Sequence, residues 1–66
     1  MRVILNDKPT DVTQGDTISK LLERLKIDKK EIAIERNLGV VLKGDFDTTE
    51  LREGDRIEIV RFVGGG

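Results

Sequence analysis

The three consecutive glycines Gly64, Gly65 and Gly66 form the segment of this sequence best suited to take part in chemistry. Glycine has no Cβ, so a run of three makes a thin, flexible segment that cannot pack into a core. One interpretation is a frayed terminus or a remnant of cloning. The other is a tail that enters a narrow channel in another protein, where the α-carboxylate of Gly66 reacts. We expect the second.

A carboxylate such as that of Gly66 is ionised at neutral pH and is a poor acyl donor until it is activated. Adenylation from ATP would supply a leaving group, after which a sulfur nucleophile could attack the carbonyl carbon. The sequence contains no cysteine and no histidine, which removes the commonest nucleophile, general base and metal ligand. We therefore expect no catalytic residue within the chain, which would be a substrate of partner enzymes.

The apolar residues that precede the glycines suggest a docking surface. If Ile57 and Ile59 point inward, alternation along the strand places Val60 and Phe62 on the opposite face. We expect Ile4 on that same face if the first and last strands are neighbours. A small apolar patch beside a reactive tail is typical of a docking site. The alternative is a bulge that turns Phe62 into the core.

Two groups of charged residues suggest weaker possibilities. Arg61, together with Arg52 and Arg56, lies near the tail and could pair with acidic groups of a partner. Ordinary solvated charge on a strand is the alternative. The spacing of Asp45, Asp47 and Glu50 faintly suggests a cation site, but it lacks the regular oxygen spacing of a calcium loop. We expect no metal there.

Length and charge limit the classes of protein. The chain has 66 residues, which is enough for one domain with a thin core. It has 12 basic and 13 acidic residues, so the positive surface of a nucleic-acid binder is not expected. No apolar run approaches the ~20 residues of a membrane span, and no signal-peptide pattern is present. We expect a cytoplasmic protein without nucleic-acid or membrane partners.

Hydrophobic periodicity predicts one helix among five strands. Ile18, Leu21, Leu22 and Leu25 are spaced as one apolar side of a helix, with Asp16 or Thr17 available as its N-cap. The predicted strands are Arg2–Asn6, Thr10–Thr13, Ile32–Arg36, Val40–Leu42 and Arg56–Val63. The helix connects the second and third strands as a crossover, which favours a mixed sheet covered by the helix on one face. Phe46 is expected to attach the irregular segment 43–49 to the core.

Several segments, taken in order, resemble the ThiS family, the sulfur carriers of thiamine biosynthesis. The resemblance covers essentially the whole chain. It rests on Val3–Asn6, Thr17–Leu22, Ile34–Asn37 and above all Leu51–Val60 followed by Phe62–Gly66. The chain departs from the family pattern in two places. Leu38 separates Asn37 from Gly39, where the family often has glycine directly, and Phe46 stands where Trp or Tyr is common.

The resemblance implies an α+β, ubiquitin-like β-grasp fold in the order ββαβββ. A mixed sheet of four to five strands would pack on one main helix, with residues 1–63 as the domain and 64–66 as a flexible tail. It also implies that Gly66, with Gly65 as its partner in the Gly-Gly motif, carries the sulfur as a thiocarboxylate (a C-terminal 1-thioglycine). Gly64 would extend the reach of the tail.

The partners that the resemblance implies are three. They are a ubiquitin-activating-type adenylating enzyme that uses ATP and Mg, a cysteine desulfurase or other sulfur donor, and thiazole synthase as acceptor. No cofactor is expected to be bound by the chain itself. Alternatives are a carrier for the molybdenum cofactor or for tRNA thiolation, a ubiquitin-like protein modifier, and a plain β-grasp binding module.

Overall fold

The first hairpin is closed by two residues in the left-handed region. In the computed structural model, which describes residues 1–62, β1 (Arg2–Leu5) is joined to β2 (Lys8–Asp11) by Asn6 and Asp7, with φ of 46° and 68°. Positive φ at both positions is the geometry of a two-residue turn whose twist suits paired strands. The predicted second strand, Thr10–Thr13, is therefore wrong in position. So short a turn lets pairing begin at Lys8, and Pro9 is tolerated because β2 lies at the sheet edge.

The single α-helix, α1 (Ile18–Leu25), has the boundaries that its periodicity predicts. The Thr17 side chain caps it, accepting a 3.2 Å hydrogen bond from the backbone N–H of Lys20. Ile18, Leu21 and Leu22 on the predicted apolar side are buried, whereas Leu25, the last residue of that side, is 40% exposed. The helix stops there because Lys26 adopts φ 58° and the N–H of Ile27 turns back to the carbonyl of Leu22.

A second hairpin follows the helix. β3 (Ile32–Arg36) agrees with its prediction, and β4 (Gly39–Val41) begins and ends one residue earlier than predicted. Asn37 and Leu38 form the turn with φ of 50° and 75°, so this hairpin also has a two-residue loop. β5 (Arg56–Arg61) ends two residues before the predicted Val63 position. Val63 and the glycine tail at 64–66 lie outside the described residues.

The five strands form one mixed sheet in the order β2-β1-β5-β3-β4. β5 runs parallel to β1, and the other neighbouring strands are antiparallel. This is the predicted order of elements, and the five strands lie within the predicted four to five. The buried apolar side chains are Val3, Val12, Ile18, Leu21, Leu22, Ile32, Ile34, Phe46, Leu51 and Ile57. Phe46 has no exposed surface, which confirms that it attaches the segment between β4 and β5 to the core.

Candidate functional site

β5 carries its side chains alternately to the two faces of the sheet, and this alternation defines the candidate site. Ile57 is fully buried beneath the helix, whereas Val60 and Phe62 are 48% and 61% exposed on the opposite, open face. Pairing with β3 fixes this arrangement, because Ile59 lies opposite the fully buried Ile34. The alternative in which a bulge turns Phe62 into the core is therefore wrong. We call the sheet face opposite the helix the open face.

Ile4 lies on the open face with Val60 and Phe62, and Arg61 does not. β1 pairs with β5 so that Ile4 lies beside Arg56, and alternation from the buried Val3 directs the half-buried Ile4 to the open face. Arg61 lies opposite the buried Ile32, so its side chain leaves from the helix side of the sheet. There it makes a long 3.9 Å ion pair with Glu31. Three of the four predicted docking residues thus share one surface.

Phe62, the last described residue, is held in place at the end of β5. Its N–H donates a 2.9 Å hydrogen bond to the carbonyl of Glu31. The ammonium group of Lys43 lies 5.4 Å from the centre of the Phe62 ring and donates a 3.0 Å hydrogen bond to the Ile32 carbonyl. A cation within about 6 Å of an aromatic face is attracted to it. The backbone bond and the Lys43 contact together fix where the chain leaves the sheet.

The apolar surface continues from β5 across β3 to β4. Ala33 lies directly opposite Val60, and the register of the second hairpin places Leu42 on the other side of Ala33. Leu42 and Val40 are 67% and 70% exposed. Sequence reasoning missed both residues. The signal was present in the two-residue spacing of Leu38, Val40 and Leu42, but a short apolar run does not show which face it presents.

Two carboxylates lie side by side at the border of this apolar surface. Glu35 on β3 is the direct cross-strand partner of Glu58 on β5. Within residues 1–62, neither side chain forms an ion pair. Like charges directly opposite each other destabilise a sheet. The open face therefore combines an apolar surface with negative charge, which suits a partner surface that is apolar and basic.

The side chain of Asn6 continues the hydrogen bonding between β1 and β5 beyond the end of β1. Its Oδ1 accepts a 2.7 Å hydrogen bond from the N–H of Ile59, and its Nδ2 donates a 3.3 Å hydrogen bond to the carbonyl of the same residue. These two bonds replace the backbone partner that Ile59 loses where β1 turns away. Asn6 therefore supports the strand segment that presents Val60.

Asp55 connects the second hairpin to the turn that precedes β5. Its carboxylate accepts hydrogen bonds from the Arg36 guanidinium at 2.9 Å, the Asn37 amide at 3.2 Å and the Arg52 N–H at 2.8 Å. Burial alone would raise the pKa of Asp55. The bonds from Arg52, Asn37 and Arg36 outweigh burial and lower that pKa below its ordinary value. Sequence reasoning missed this role because it depends on residues far apart in the chain.

The remaining charged candidates have local partners. The Arg56 guanidinium lies 3.0 Å from the Asp7 carboxylate, and the Asp47 carboxylate accepts a hydrogen bond from the Ser19 hydroxyl. In the part of the chain that the structure describes, Asp45, Asp47 and Glu50 do not form a group able to hold a metal ion. Within the same residues, no helix has the length and apolar character needed to span a bilayer.

Comparison with known proteins places this architecture in a family. The model of the ThiS family matches residues 3–66, a range that includes the helix, the glycine segment and every strand residue except Arg2. The chain belongs to the ThiS family. The crystal structure of a thiamine biosynthesis protein (ThiS) from Geobacter metallireducens is similar to it, with a TM-score of 0.85, 32% identity and full coverage of both chains. This similarity confirms the β-grasp fold.

Two curated relatives define the likeness in sequence. The sulfur carrier protein ThiS of Bacillus subtilis is 42% identical over 50 residues, which are 76% of each chain. A thiazole synthase from Paramagnetospirillum magneticum is 35% identical over all 66 residues of this chain, but these are 20% of that protein. The chain thus spans about a fifth of the length of that relative. The B. subtilis relative is a sulfur carrier protein, and the ThiS family is a family of such carriers.

Proposed function

We propose that this chain carries sulfur for thiamine biosynthesis on the α-carboxylate of Gly66. The observation that carries the proposal is the ThiS family match, which runs through the glycine tail to residue 66. The exposed Val60 and Phe62 immediately before that tail give a partner enzyme a surface to hold while the tail enters its active site. The sequence contains neither a cysteine nucleophile nor a histidine general base.

The proposed reaction replaces one carboxylate oxygen with sulfur in two steps. A ubiquitin-activating-type enzyme, with ATP and Mg, lets a Gly66 carboxylate oxygen attack the α-phosphorus, which forms the acyl adenylate and releases pyrophosphate. A hydrosulfide equivalent, released by a thiol reductant from the persulfide of a cysteine desulfurase or supplied by another donor, then attacks the carbonyl carbon, and AMP leaves with the original oxygen. The product is the thiocarboxylate. Gly65 and Gly64 suit a narrow channel because neither has a side chain to obstruct it.

Thiazole synthase is the proposed sulfur acceptor. The support is that the P. magneticum thiazole synthase contains a region similar to the whole of this chain. A carrier region and a synthase within one polypeptide are consistent with the two acting in one reaction sequence. The dependence on ATP and on a biosynthetic sulfur donor favours the cytoplasm as the place of action.

The proposed docking surface is the open face around Val60, Phe62 and Ile4. Its apolar residues are exposed, and the adjacent Glu35 and Glu58 would attract basic groups of a partner. The Arg61 side chain lies on the helix side of the sheet. We therefore propose that it contacts a partner only at the part of the interface next to the glycine tail. Desolvated apolar residues near the centre of an interface contribute most to its affinity.

Intact-mass measurement tests the carrier function. Protein from its native host, expressed under thiamine limitation, should contain a species heavier by the difference between one sulfur and one oxygen, located on Gly66 by fragmentation. Deletion of Gly65 and Gly66 should abolish that species while leaving thermal unfolding unchanged. Higher-mass conjugates to lysines of other proteins would instead indicate a modifier. A mass shift that persists after the deletion would overturn the assignment of Gly66.

A pair of substitutions tests the docking surface. Val60→Asp places a charge on the open face, and Leu25→Asp places the same charge at a similarly exposed site on the helix side. We expect adenylation by the partner enzyme to fall more than about tenfold in kcat/KM for the first variant, because a carboxylate in place of Val60 loses its hydration at the apolar centre of the interface. The second variant should be adenylated normally. Equal losses in both would refute the assignment of the face.

A further inference from the structure

The two edges of the sheet differ in how they are protected. β2, at one edge, carries Lys8, Pro9 and Asp11, which are the residue types that discourage another strand from pairing. β4, at the other edge, has no charge and no proline. In a chain that is 38% charged, the six residues from Asn37 to Leu42 are all uncharged. The edge formed by β4 is therefore open to pairing.

The backbone of Val40 is directed toward this open edge. Arg36 and Gly39 close a two-residue loop, so they form a hydrogen-bonded pair of the antiparallel ladder. Pairs of that kind alternate with non-bonded ones. Glu35–Val40 is therefore a non-bonded pair, and the N–H and C=O of Val40 turn away from β3. No other group among residues 1–62 bonds to them.

The side chains along this edge are apolar and unusually exposed. Val40 and Leu42 are 70% and 67% exposed and lie on the same side of the strand. Leu38 is 86% exposed and belongs to the turn that precedes β4. Because the N–H and the C=O of Val40 both face outward, the edge is complementary to a second copy of itself in antiparallel orientation.

We propose that β4 pairs with β4 of a second copy of this chain, about a two-fold axis that passes beside Val40. Val40 of each copy then exchanges both backbone hydrogen bonds with Val40 of the other, and Gly39 of each copy lies opposite Val41 of the other. The strand residues that meet are all uncharged, so no like charges oppose each other. A two-fold interface requires such a self-complementary surface. The result is one continuous sheet of ten strands.

The pairing is weak and reversible. Two strands of three residues bury far less than the roughly 1,200–2,000 Å² of a standard stable interface. The dimer therefore forms only at high protein concentration. Val60 lies two strands away from the edge, so pairing leaves the proposed docking residues of both copies accessible. The inference does not depend on the proposed sulfur chemistry.

Sedimentation velocity from micromolar to millimolar concentration, with charge variants at position 40, tests the proposal. The wild-type chain should shift from monomer to dimer. Val40→Lys and Val40→Glu should each raise the dissociation constant by more than about tenfold, because like charges then lie opposite each other. An equimolar mixture of the two variants should dimerise again. Val60→Lys, which charges the same face away from the edge, is the matched control and should dimerise as the wild type does.

Hydrogen exchange supplies a second measurement that needs no substitution. The Val40 amide should exchange more slowly at millimolar than at micromolar concentration, whereas the Val41 amide, which bonds to β3, should not change. A wild-type chain that stays monomeric at about 1 mM overturns the proposal. So does a mixture of charge variants that fails to associate when the wild type does. If the wild type is monomeric and Val40→Lys loses the binding of another protein, the edge pairs with a strand of that protein instead.

Discussion

Replacing Leu38 with glycine should stabilise the domain, because Leu38 has a backbone conformation that disfavours its side chain. Its φ is 75°, in the second position of the two-residue turn between β3 and β4. The left-handed region costs an ordinary residue about 1–2 kcal/mol, and glycine avoids this cost. The same position in the first hairpin is Asp7, a residue type that tolerates positive φ better.

Two opposing terms reduce the expected gain in the free energy of unfolding. Glycine has more freedom in the unfolded chain, which costs about 0.5–1 kcal/mol. The Leu38 side chain is 86% exposed, so its removal forfeits only about a seventh of the roughly 1.5–3 kcal/mol of a fully buried leucine. The net stabilisation is then about 0.5 kcal/mol, or about 2–4 °C in the midpoint of thermal unfolding.

The assay is thermal and urea unfolding followed by circular dichroism at micromolar concentration, where self-association does not contribute. Leu38→Ala is the matched control. It removes the same exposed side chain but keeps a Cβ at positive φ, so it should be neutral or slightly destabilising. An equal gain in the alanine variant would refute backbone strain as the cause. A loss of stability in Leu38→Gly would show that the leucine makes a contact that its exposure does not reveal.

Two further predictions concern buried charge and helix termination. Hydrogen bonds lower the pKa of Asp55 in the folded state, so its carboxylate stabilises the fold above the unfolded pKa of about 3.9 and this stabilisation is lost as pH falls below it. Asp55→Asn should therefore lower the free energy of unfolding by about 2 kcal/mol at pH 7 and by clearly less near pH 3, as measured by urea unfolding at both values. An equal loss of unfolding free energy at both pH values would exclude the Asp55 carboxylate charge as the source of the stabilisation. Lys26→Gly should raise the unfolding free energy by about 0.5 kcal/mol, because Lys26 ends the helix at φ 58°. Lys26→Ala should give no such gain in the same thermal assay.

The elements that depend on local signals were predictable from the sequence. The helix and β3 followed from apolar spacing and from a capping residue at Thr17. The burial of Phe46 also agrees with the sequence, in which it is the aromatic residue of the irregular segment 43–49. The position of β2 was not predictable in this way, because the weak strand signal around Val12 outweighed the turn chemistry of Asn6 and Asp7.

Most of the candidate site depends on register, which sequence periodicity does not specify. The placement of Val60 and Phe62 on one face required only alternation along β5. The juxtaposition of Glu35 with Glu58, and of Ala33 with Val60, required the pairing of β3 with β5. The role of Asp55 likewise depends on three donors from separate segments. Local propensity carries no information about such contacts, because they arise only when distant parts of the chain meet.

The central position of β5 also determines when the protein becomes folded during synthesis. β1 and β3 have no direct contact as neighbours in the sheet, because β5 lies between them and pairs with both. A nascent chain that lacks Arg56–Arg61 can form its two hairpins and its helix, but it cannot join them into a sheet. Contacts between residues so distant in sequence form late and slowly. The ribosome must therefore release the strand that precedes the glycine segment before any partner enzyme can meet a folded domain.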